Sequence, residues 1–96
     1  MHEQQFGRYG RMHLWYLKQD RPVLYIALVT SGSLWPYLEE LNRQAQKRME
    51  RLTSQMAARE GVTEVLKAAD PMAWVGKMEN IRSRAEEIVL RELIYR

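Results

Sequence analysis

Ninety-six residues, 46% of them apolar, with five glycines and three prolines, describe one small folded domain and set aside disorder and low complexity. The absence of cysteine excludes disulfides, thiolate metal sites and thiol nucleophiles, and fits a reducing intracellular setting. The net charge of +3 lies mostly in residues 1–21, where Arg8, Arg11, Lys18 and Arg21 outnumber Glu3 and Asp20; such a bias suits nucleic acid or an acidic protein, or simply keeps a small domain soluble.

Residues 1–6 are polar and read as frayed, without the layout of a signal peptide. From Gly7 to Gln19 the spacing of Tyr9, Met12, Trp15 and Tyr16 predicts an amphipathic helix weakened by Gly10. Asp20 then reads as an N-cap and Pro22 as a first-turn proline for a second helix. Its run VLYIALV has the composition of a buried strand, but nothing else in the chain offers a strand to pair with it, so helix is preferred. Seven apolar residues also fall far short of the ~20 needed to span a bilayer, so the chain is expected to be soluble, cytoplasmic and without a membrane partner.

Ser31-Gly32-Ser33 marks a break, with Gly32 ending one helix and Ser33 capping the next. The segment Ser33 to Glu60 then carries Leu34, Leu38, Leu41, Ala45, Met49, Leu52 and Met56 within roughly a 100° sector of a helix, the longest apolar stripe in the chain. Gly61 ends it, Thr63 caps a short connector, and Asp70-Pro71 opens a final helix to about Tyr95. That helix presents Trp74, Val75, Met78, Ile81, Ala85, Ile88, Val89 and Leu93 on one broad face. The expected fold is all-α: a long antiparallel helical hairpin with two shorter N-terminal helices packed on it, in a single domain over residues 1–96. Met72, Leu90 and Ile94 fall outside the core face and either pack under the first helices or meet a partner, a homodimer being one candidate.

Two basic sets stand out. Arg8, Arg11 and Lys18 are interleaved with Tyr9, Trp15 and Tyr16, as in proteins that hold phosphates and stack bases, although the rings serve equally well as core. Arg43, Lys47 and Arg51 recur at every fourth residue opposite the central stripe, a spacing that follows a phosphate backbone or forms self-paired surface with Glu39, Glu40 and Glu50. A helix-turn-helix reading would aim Tyr37, Glu40 and Gln44 at bases, which the acidic Glu40 opposes. His2 and His13 stand apart from any metal-ligand spacing, and there is no nucleophile elbow or phosphate-cradling glycine loop, so neither enzyme activity, cofactor, metal nor small-molecule substrate is expected. Arg82 with Glu86, and Glu87 with Arg91, read as helical i, i+4 pairs.

The stretches GRYGRMHLWYLKQDRP, LVTSGSLWPYLEELNRQAQKRMERL and QMAAREGVTEVLKAADPMAWVGKMENIRSRAEEIVLRELIY together resemble the TnpV family of transposon-encoded proteins over about residues 6–95. That resemblance implies a bacterial, cytoplasmic accessory protein of a mobile element that moves by a serine recombinase, with an excisionase-like association with DNA or a recombination complex. The winged β-hairpin of many excisionases has no counterpart signal here. The alternative is a protein-binding module, such as an inhibitor of a host defence nuclease carried by the element.

Overall fold

The computed structural model describes residues 6–96 and contains helices and turns, with no strand among the described residues. Helix α1 spans Gly7–Asp20, α2 Pro22–Thr30, α3 Leu34–Glu60, α4 Glu64–Ala69 and α5 Pro71–Val89, and α5 runs straight into a π-helical turn, Leu90–Ile94. Residues 1–5, part of the segment read as frayed, lie outside the described residues. Phe6, assigned to the same segment, is instead buried and stacks on Trp35 with ring centroids 5.2 Å apart.

The stripe of α3 makes the core. Leu34, Leu38, Leu41, Ala45 and Leu52 are buried, and Met49 and Met56 pack beside them. Helix α5 contributes Ile81, Ala85 and Val89, all fully buried, whereas Val75, read as part of the same face, is 46% exposed. Two ion pairs tie the helices together, Arg84 to Glu60 at 2.7 Å and Arg48 to Glu92 at 3.1 Å. Position rises along α5 as it falls along α3, so these two helices run in opposite directions. The molecule is accordingly elongated, 54 × 24 × 17 Å.

The stop signals act as their residue types require: Gly32 and Gly61 both take φ 73°, a left-handed conformation that side chains with a Cβ resist. Asp70 accepts a hydrogen bond from the Ala73 N–H at 3.2 Å and Pro71 follows it, starting α5. Other expected caps do not form. Asp20 ends α1, leaving Arg21 to flank α2, and the Ser33 hydroxyl bonds with Ser31 instead of an α3 amide. Thr63 is extended, as an N-cap should be, but its side chain makes no capping bond.

The two N-terminal helices differ in how they sit. Helix α1 packs on α3 and on the π-helical turn, burying Tyr9, Gly10, His13, Leu14 and Leu17. Helix α2 rests on α1 and the start of α3 through Leu24, Tyr25 and Leu28, and none of its residues is fully buried.

Candidate functional site

Helix α1 is held at both ends by groups distant in sequence. The first amides of a helix have no partner within it; here the Tyr9 and Gly10 N–H groups donate to Asn42 Oδ1 of α3 at 3.0 and 3.3 Å. The approach is close enough that a Cβ on Gly10 would lie 2.7 Å from the Phe6 ring and 3.2 Å from the Leu38 carbonyl, so glycine is required where helix propensity disfavours it. Further along, α1 meets the last residues of the described chain. His13 Nδ1 lies 2.7 Å from the Ile94 oxygen, and the Tyr16 hydroxyl and Arg21 guanidinium both donate to the Arg96 main-chain oxygen at 3.1 Å.

The carbonyl only accepts, so Nδ1 carries the proton and neutral His13 accepts at Nε2 from the Tyr37 hydroxyl, 3.1 Å away. Burial pushes the His13 pKa below the ordinary histidine value, the Ile94 bond opposes that shift, and Arg96 and Arg21 reinforce it. This neutral, bonded imidazole is a structural group. Tyr37, which a helix-turn-helix reading would aim at bases, is occupied by it.

The outward face of α1 carries the first basic set. At 100° per residue Arg8, Arg11, Trp15 and Lys18 fall within roughly 80° of one another, opposite the buried face. Arg8 is already engaged, with both terminal nitrogens on the Glu86 carboxylate. Its bonding to Glu86 pushes its pKa up and holds the Glu86 carboxyl below the usual range, and the Tyr9 hydroxyl donates to the same carboxylate at 3.2 Å. Burial, with Glu86 beside it, raises the pKa of Tyr9. Arg11 is exposed and has no ion pair among the described residues. Lys18 sits over the rings of Trp15 and Tyr25, 5.1 and 5.7 Å from their centroids, and Trp15 is 57% exposed. The structure therefore keeps Arg11, Trp15 and Lys18 as an open basic and aromatic strip.

The second set splits in the same way. Arg43 is exposed but bonded to Glu40, whose carboxyl is held down to about 2 by Arg43 and Gln44. Lys47 and Arg51 remain exposed on the back of α3, with Glu50 and Ser54 beside them. They lie on a different helix from the α1 strip, and among the described residues no hydrogen bond or ion pair joins the two sets. The helical pairs expected at Arg82–Glu86 and Glu87–Arg91 do not form. Glu86 turns to Arg8, and the neighbouring Arg84 spans to Glu60 and Asn80.

Of the three apolar residues read as packing under the first helices or meeting a partner, Ile94 takes the first course: it is fully buried beneath α1, where the π-helical turn puts it, and is a core residue and not a partner contact. Leu90 packs partly against the same core, and Met72 alone stands out, 82% exposed. They form no common face. Asn42 was missed, although a polar residue four after Leu38 and three before Ala45 lies beside the buried stripe and signals a bonded role. Among the described residues no cluster of acidic or histidine side chains has the arrangement to hold a metal ion.

The family described as transposon-encoded protein TnpV has a profile that matches residues 1–94. No curated protein and no solved structure matches the chain.

Proposed function

Since the chain belongs to the TnpV family of transposon-encoded proteins, we propose that it serves its mobile element as a non-catalytic, cytoplasmic accessory factor associating with DNA or with a recombination complex on DNA. In this reading the hairpin of α3 and α5 is the scaffold, α1 and α2 lie on it, and α1 supplies the contact. The observation that carries it is the strip of Arg11, Trp15 and Lys18, where two cations flank an exposed ring and, among the described residues, no carboxylate pairs with either. Phosphates supply the missing counter-charge, and the Trp15 face offers a stacking surface. Lys47 and Arg51 add two further cations, while Arg8 and Arg43, engaged by Glu86 and Glu40, belong to the fold.

Binding to a short duplex and a single strand, followed by gel shift and fluorescence anisotropy across a salt series, tests this. Four available cations give a log-log salt slope of about −3 to −4, and Arg11→Ala with Lys18→Ala flattens it by about two. A salt-independent affinity, or a slope untouched by the double variant, overturns the reading.

The bare apolar surface of α2 favours a second reading, a protein-binding module such as an inhibitor of a host defence nuclease. Recovery of one protein partner by pull-down after nuclease treatment supports it against the first.

A further inference from the structure

Lys18 is shared by two aromatic rings. Its ammonium lies 5.1 Å from the centroid of Trp15 and 5.7 Å from that of Tyr25. Trp15 belongs to the open strip of α1 and is 57% exposed. Tyr25 lines a furrow of about 240 Å³, together with Leu14, Val29, Trp35 and Lys18 itself. One cation therefore joins an exposed ring to a recess that has two more rings in its walls. The ring contacts hold the ammonium in place without cancelling its charge, and among the described residues no carboxylate pairs with it. The furrow is smaller than the ~300–1,000 Å³ of sites that enclose drug-sized ligands, so it takes one flat ring system and not a whole nucleotide.

Resting on the DNA reading above, we propose that the ligand is unpaired DNA: one base lies against Trp15, a neighbouring base enters the furrow, and the phosphate between them meets Lys18. Arg11, one helical turn before Trp15, meets the phosphate on the other side of the first base. The rings select a single strand over a duplex. A base stacks on a side chain or enters a recess only through an open face, and in a duplex both faces are covered by the neighbouring pairs. Duplex affinity comes instead from many phosphate contacts, and this strip carries only Arg11 and Lys18. Stacking is where such a surface gains most, each stacked base being worth about five- to a hundredfold in affinity. The position of Lys18 between the strip and the furrow makes one site of the two.

Fluorescence anisotropy of the full chain tests the proposal, with a labelled oligothymidylate of about ten nucleotides set against a fully paired DNA hairpin. The strand binds about tenfold more tightly than the hairpin, or better. Trp15→Leu removes that preference, lowering strand affinity by about tenfold, and Trp15→Tyr, which keeps a ring, retains most of it. Val29→Met, whose longer side chain fills the furrow, costs the strand about fivefold. Trp15 and Val29 are 57% and 49% exposed, so the helical circular dichroism of these variants stays that of the parent. A hairpin bound as tightly as the strand overturns the proposal and leaves the DNA reading standing. So does a strand bound equally well by the parent and by Trp15→Leu or Val29→Met. Binding of neither DNA overturns both.

Discussion

Helices α1 and α2 are neighbours in sequence and nearly inverted in fate. Helix α1 is the more polar of the two, yet it buries five residues, a histidine and a tyrosine among them. Helix α2 is almost wholly apolar and buries none completely. The difference teaches that burial here follows from satisfied polar groups and close backbone approach. Asn42 meets the α1 amides, His13 meets an orphan carbonyl, and Gly10 lets the helix close on α3. Among the described residues no buried side-chain nitrogen or oxygen lacks a partner.

The sharpest way to break that comparison is to remove apolar bulk from each helix. Leu17→Ala, at a position with no exposure, costs about 2–5 kcal/mol in urea unfolding. Val23→Ala, at 82% exposure, costs within about 0.5 kcal/mol when measured at a concentration where the chain is monomeric. Equal losses would mean that α2 is as deeply engaged as α1.

Next in size is the α1 cap. Asn42→Ala leaves two buried amides without an acceptor and costs about 1–3 kcal/mol. Hydrogen exchange then accelerates first at Tyr9 and Gly10, while the α3 and α5 amides beyond residue 45 change only with the global stability. Faster exchange spread evenly over all helices would show that the cap is not local to α1.

The smallest effect is set by pH. Native His13 resists protonation, so its pKa lies below the unfolded value of about 6.5. Between those two values the unfolded chain binds more protons than the native one, and stability falls as the pH drops through that window. Below about pH 4.5 the carboxyls of Glu86 and Glu60, held down by Arg8 and Arg84, add a separate loss, so the His13 contribution is read above it. Thermal unfolding of His13→Gln is therefore flatter with pH than the parent between those limits. A parent curve already flat there would remove His13 as its source.

Much of the scaffold was legible because local rules govern it. The Leu34 to Met56 stripe has a helical period, Gly32 and Gly61 are stops that only a left-handed turn explains, and Asp70-Pro71 is a strong start. What escaped was decided over distance. The cap of α1 comes from 33 residues away. The i, i+4 rule assigned Glu86 to Arg82, but Arg8 reaches it with two nitrogens across the fold. Ile94 was left open between packing under the first helices and meeting a partner, because a regular helix would take it off the core face; the π-helical turn shifts the register by one residue and puts it in the core. For the basic site, residue types located the cations; only geometry separated the engaged Arg8 and Arg43 from the open Arg11, Lys18, Lys47 and Arg51. Apolarity alone would have placed α2 inside.

The anchoring of α1 between Asn42 and residues 94–96 has a consequence for biosynthesis. The ribosome releases α1 before either of its anchors exists, and a fourteen-residue helix with unsatisfied ends is marginal in water. Its docking is complete only when both α3, which carries Asn42, and the last turn are in place. Helix α1 thus waits for partners made after it, and until they arrive the seam it covers stays open to water.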